Sequence, residues 1–337
     1  MLAYNGTTGD KIPVREHPKL LLRRIIMRNR LLVACGVVFF GVAAWAVPLG
    51  SSARGAIPSE VQQLICVDYR ALKNSDTAMA LKDQVLPQNL KDFETELKGV
   101  GIDPAKDVEQ LTFVSYRMGK EGTRIVGYAQ GEFTMATVLK KMKLNKVRPV
   151  KYHDSSIYPM SGGMQMMFLD DSTLLFGDSS AVKGALDARD GYTTTLDSNS
   201  QMTDMMSSVD SGTVWSVLDQ QGTQNMLRSA LGSASGLADY ETIKKRVLGS
   251  RYQMNFQNGV NFDLDVVTSD SMTAATLSSL VKAGMLYKKM TATAIEKVAL
   301  DSLTVDSDSS DLQMHFKTDD KQFQSLMHSP LFAAVSR

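Results

Sequence analysis

The chain has 337 residues, 43% of them hydrophobic and 22% charged, enough for two domains of ordinary size beside an apolar N-terminal stretch. Lys and Arg number 37 against 36 Asp and Glu, but residues 1–50 hold seven basic and two acidic side chains, leaving 30 basic against 34 acidic beyond them. That mildly acidic remainder excludes a nucleic-acid footprint, and two cysteines, Cys35 and Cys66, exclude a disulfide framework.

Residues 1–30 read as a basic cytoplasmic tail. Its last part, KLLLRRIIMRNR, alternates apolar and basic groups at helical spacing and suits the inner membrane surface. The next nineteen residues, Leu31 to Leu49, carry no charge. As a helix they would span roughly 28 Å, about the thickness of a bilayer's hydrocarbon core. The basic flank predicts a single-pass transmembrane helix with the N-terminus cytoplasmic and the bulk periplasmic or extracellular. Two other readings of the stretch exist: a cleaved signal ending at Ala44-Trp45-Ala46, and a lipobox at Leu32–Cys35. The lipobox is poorly placed, because the apolar run follows the cysteine instead of preceding it. Residues 50–60, rich in Gly, Ser and Pro, read as a linker.

Beyond the linker the pattern predicts a strand over Leu64–Tyr69 and helical material over Ser75–Lys98, broken at Pro87 and ended by Gly99–Pro104. A hairpin follows, Leu111–Met118 and Arg124–Gln130, then a helix over Phe133–Met142. Short strands are predicted at Val150–Tyr152, Ser156–Pro159, Met164–Leu169 and Thr173–Phe176. Asp178 or Ser179 then caps a helix over Ala181–Ala188. The second half runs strand Thr213–Leu218, helical material over Gln221–Val247, and a hairpin of Arg251–Phe256 and Val260–Val267 turning at Asn258-Gly259. Helix Ser271–Lys289, strands Leu300–Val305 and Leu312–Phe316, and helix Lys321–His328 complete it. The two halves share one order of elements, so the expected fold class is α+β. It consists of two tandem antiparallel-sheet modules, 61–192 and 193–337, with helices packed on one face of each and a single transmembrane helix ahead of them.

The segment Gly101-Ile102-Asp103-Pro104 followed by Asp107-Val108, and the ending Leu174–Ala188 (LLFGDSSAVKGALDA), together resemble uncharacterised exported bacterial proteins of acidobacterial type with one N-terminal anchor. That family has no assigned catalytic residues, so the resemblance implies an exported location and nothing about chemistry.

Catalytic and metal patterns are sparse. His17, His153, His315 and His328 carry no metal-ligand spacing. His153-Asp154 with Ser161 or Ser179 would be the only candidate hydrolase triad, but helix capping explains Asp178 and Ser179 better. Cys66, within LICVDY, reads as a small core residue. The one oddity is methionine, with 20 in the chain. Met160, Met164, Met166 and Met167 cluster beside Gly162-Gly163, and Met202, Met205 and Met206 form a second group. Thioethers can take Cu(I), but they also fill irregular cores and line adaptable contact surfaces. The four clustered methionines are therefore the candidate ligand or partner surface, with no catalytic, cofactor or metal residue assigned.

These features point to a non-enzymatic binding or assembly component of the cell envelope, with an envelope protein as partner. The alternatives are a carrier or sensor of an apolar ligand such as a lipid in a Met-lined groove and, third, an envelope hydrolase.

Overall fold

A computed structural model describes residues 49–85, 88–231, 240–256 and 259–329. Helix α1 (Ser51–Gly55) leads into strand β1 (Val61–Asp68) and three helices, α2 (Tyr69–Leu72), α3 (Asp76–Val85) and α4 (Gln88–Val100). A single turn, α5 (Pro104–Asp107), precedes the hairpin β2 (Val108–Arg117) and β3 (Thr123–Gly131). Then come α6 (Met135–Leu144), β4 (Val150–Tyr152), β5 (Ser155–Pro159), β6 (Met164–Asp170), β7 (Thr173–Asp178) and α7 (Ser179–Arg189). The second half comprises α8 (Ser200–Ser207), β8 (Val214–Leu218), α9 (Gln220–Leu231), α10 (Tyr240–Arg246), β9 (Val247–Asn255) and β10 (Val260–Thr268). Helices α11 (Ser271–Thr291) and α12 (Ala294–Asp301), strands β11 (Leu303–Asp308) and β12 (Asp311–Thr318), and helix α13 (Asp320–Met327) follow.

The local signals explain most of these boundaries. Gly101, at φ 95°, ends α4, with the Ile102 N–H donating to the Leu97 carbonyl at 2.9 Å. Pro104 then opens α5 behind the Asp103 cap. Asp178 caps α7 by accepting from the Ala181 N–H at 2.8 Å, so of the two residues offered as that cap it is Asp178 that serves.

The expectation of two separate sheets is corrected. The twelve strands of the described residues join in one antiparallel sheet, ordered β11-β12-β10-β9-β8-β1-β2-β3-β7-β6-β5-β4. Its centre is the pairing of β1 with β8, in register at Cys66 opposite Trp215. Outward from that pair one side runs β2, β3, β7, β6 and the other β9, β10, β12, β11. Like order recurs in each half, yet the halves close on each other edge to edge and share one core. The reason is that β1 and β8 are buried along nearly their whole length, so neither serves as the free edge of a separate module.

Helices on a single face is corrected too. One face carries a core built from Phe93, Leu97, Val138, Leu227, Leu277 and Phe323, donated by helices of both halves. Among the described residues the opposite face is covered near the centre, where Ala53, Ile57, Val182, Leu186 and Met202 pack on Leu64, Val114, Tyr128 and Trp215. Helix α7 lies on this second face, whereas α13 covers the first. The segment 50–60, read as a linker, is part of that packing. Tyr128 donates its phenol proton to the Ala56 carbonyl at 2.8 Å.

The transmembrane helix is the third correction. Among the described residues no helix is long and apolar enough to cross a membrane. Residues 31–48 of the expected span lie outside the described residues, and Leu49, its expected last residue, is buried in the second-face core. Leu49 is therefore part of the folded core and not of a span, and the described residues supply no membrane-crossing helix. The basic tail, residues 1–30, also lies outside the described residues.

Candidate functional site

A pocket opens between the first face of the sheet and α3–α4. Asp68, the last residue of β1, caps α2 by accepting from the Ala71 N–H at 2.9 Å. That turn carries Tyr69 out of the strand and under α3, where only 2% of it is exposed. Helix α3 returns over it with Lys82, whose side chain is 7% exposed and whose Nζ donates to the Tyr69 Oη at 3.0 Å. From α4, Glu94 pairs with the same ammonium at 2.6 Å and keeps 26% of its side chain in contact with solvent.

Leu90, Phe93 and Leu97 stand on the same side of α4 as Glu94, at positions three and four apart, and form the roof. The floor is Leu111 and Phe113 of β2, Ala129 of β3 and Phe176 of β7. The Phe176 ring stacks on Phe93 at 4.9 Å between centroids and meets Phe113 edge-on at 6.0 Å. Room for the centres of water-sized groups amounts to about 40 Å³. A single water needs ~10–15 Å³ on that measure, so the cavity takes a short apolar group or the end of a longer one.

Burial pushes the Tyr69 phenol above its ordinary value, and the neighbouring ammonium only partly opposes this. Burial works against charge on Lys82, but the bonds to Glu94 and Tyr69 outweigh it and hold the ammonium above its ordinary value. At neutral pH Tyr69 is thus a neutral phenol and Lys82 an ammonium, the latter ion-paired with Glu94.

The methionines stand elsewhere. Met160, Met164 and Met166 are buried in the first-face core, and Met167 points into the opposite one. The alternation of β6 divides them, and none of the four lines the pocket. Met202, Met205 and Met206 are buried under α8 on the second face.

His153 meets neither Ser161 nor Ser179 in a hydrogen bond among the described residues. Its Nε2 lies 3.0 Å from Asp187 Oδ1, which also accepts from the Tyr152 phenol at 2.8 Å, while the Tyr192 ring stacks on the imidazole at 4.4 Å. Cys66 is fully buried, and burial pushes its thiol up to about 12, which makes it inert as a nucleophile. Among the described residues no group of His, Cys, Asp and Glu is placed to hold a metal ion.

Tyr69, Lys82 and Glu94 were not singled out from the sequence. One signal was available: Lys82 stands four residues after the buried Ala78, in register with the apolar face of α3. A lysine in that register needs buried partners, which sequence spacing alone does not name.

No protein-family profile matches the chain, and no curated protein does. Among solved structures, crystal form I of TP0453 aligns with a TM-score of 0.45 and 8% identity, covering 86% of this chain and 99% of that one. Crystal form III of the same protein gives 0.45 and 7%, covering 82% and 97%. A likeness that weak establishes neither fold nor function.

Proposed function

We propose that this is a non-enzymatic binding protein, a carrier or sensor that takes an apolar group between the sheet and α4. The observation that carries the reading is the aromatic-floored pocket whose charged groups among the described residues, Lys82 and Glu94, neutralise each other. The site differs from the Met-lined groove expected from the sequence: aromatic and aliphatic side chains supply the apolar wall. Titration with N-phenyl-1-naphthylamine, a neutral apolar fluorophore, tests it. Saturable one-site binding that is abolished by Ala129→Leu, which fills the floor, supports the reading. Absence of saturable binding, or binding indifferent to that substitution, overturns it.

A second reading, a component of an envelope assembly, is favoured by the exposed Leu286, Tyr287 and Met290 near the end of α11. Gentle-detergent purification of the full-length tagged protein from its native cells tests this. A near-stoichiometric protein partner lost in Leu286→Ser/Met290→Ser supports it, and a protein that emerges alone removes it.

A further inference from the structure

We infer that the group taken into the pocket carries a neutral hydrogen-bond acceptor, the carbonyl of a ketone, ester or amide, held by Tyr69 and Lys82. The inference rests on the binding reading above and narrows it from any apolar group to one chemical class.

The proton inventory of the pocket is the first support. An ammonium has three protons and a phenol one. Lys82 gives one to Glu94 and one to the Tyr69 oxygen. Since that oxygen is engaged as an acceptor, the phenol proton is directed elsewhere. Among the described residues neither the third ammonium proton nor the phenol proton has an acceptor, and both groups are more than nine-tenths buried. Buried donors of this kind are met by an ordered water or by the lone pair of a ligand that displaces it. A carbonyl oxygen has two lone pairs and can accept from both donors at once.

Charge is the second support. Glu94 already neutralises Lys82 at 2.6 Å, so a carboxylate or phosphate would add an uncompensated negative charge beside Leu90, Phe93 and Phe113. Desolvating such a charge costs more than two shared hydrogen bonds return. A plain hydrocarbon fits the wall but leaves both donors unmet. Size is the third: about 40 Å³ admits the carbonyl and a short arm, not a whole long chain. The carbonyl belongs either to a small free molecule or to the ester end of a larger lipid.

Displacement of N-phenyl-1-naphthylamine from the full chain by 2-heptanone, heptanoate and heptane compares the three chemistries at similar shape. The expected order places the ketone first, with heptane and heptanoate each at least about fivefold weaker, since one hydrogen bond commonly corresponds to a several-fold change. Tyr69→Phe lowers ketone affinity about fivefold and leaves heptane unchanged. Dihexanoylglycerol competing better than 2-heptanone identifies a lipid ester as the source, and the reverse identifies a small free carbonyl compound. If heptane equals the ketone, or heptanoate exceeds it, the carbonyl inference falls while the pocket stands. If the fluorophore itself shows no saturable binding, both fall. Should Tyr69→Phe not fold, the ligand order on the unaltered protein still decides.

Discussion

Gly127 on β3 and Phe176 on β7 stand directly opposite each other, and the Phe176 ring lies where a side chain on residue 127 would go. A Cβ at residue 127 would overlap the ring. The bare backbone of one strand is thus the seat of an aromatic ring from the next, and that ring is the pocket floor. Gly127→Ala forces the ring to move and should destabilise the protein by about 1–3 kcal/mol, as overpacking does. Urea unfolding checks this. Binding of the apolar fluorophore should weaken in the same variant under conditions where it remains folded.

Phe93 stacks on that ring from α4 and closes the pocket from above. Phe93→Ala removes the roof, and truncations of this kind cost about 3–5 kcal/mol. The variant should unfold at clearly lower urea than the parent. If it still folds, the enlarged cavity should accept longer chains in the displacement assay, the reverse of the Ala129→Leu outcome.

Lys82 and Glu94 form a pair whose value depends on both members. Lys82→Met leaves the carboxylate against an apolar wall and should cost about 2 kcal/mol, tempered because Glu94 reaches solvent. Lys82→Met with Glu94→Gln removes both charges and should recover part of that loss. A double-mutant cycle by urea unfolding reads the coupling, and strict additivity of the two changes would refute it.

Asp270 caps α11, and the Thr273 N–H bond, with Ser269 and the Thr273 hydroxyl, holds its carboxyl down to about 2. A carboxyl depressed in the folded state contributes stability that is full above its unfolded value, near 4, and is lost as pH falls toward 2. Carboxyl chemical shifts followed by NMR should show Asp270 titrating near the bottom of that window. In Asp270→Ser, which can still cap, the acid-induced loss of stability across the window should be shallower.

Much of the element order was legible because it rests on local signals. The hairpin at Gly119–Gly122 and the cap at Asp178 are written in a few adjacent residues each. Helix α12 carried such a signal too: Thr293 and Glu296 form a capping box, with the Thr293 N–H donating to the Glu296 carboxylate at 2.7 Å. The sequence reading instead began a strand at Leu300, inside that helix. Thr293→Ala should cost about 1 kcal/mol in thermal or urea unfolding, as lost caps do. What local signals could not give was closure. Repetition of one plan suggested two modules, but whether β1 meets β8 depends on residues far apart in the chain. The pocket was hidden for a similar reason: Tyr69, Lys82 and Glu94 lie on three different elements, and their meeting is a product of tertiary packing. The methionines stood out by number alone, a compositional signal that a well-filled core also produces.

The meeting of β1 with β8 also governs how the chain reaches its native state. Cys66 and Trp215 become neighbours only after roughly 150 intervening residues have left the ribosome, and closing so long a loop delays the rewarding contact. Until then β1 presents one unpaired, strongly apolar border, and the growing chain must be kept from pairing it with another copy of itself. Refolding yield should therefore fall with protein concentration more steeply than the rate of the final ordering step. A charged substitution on β8, far from any ligand, would be felt first as lost yield during synthesis.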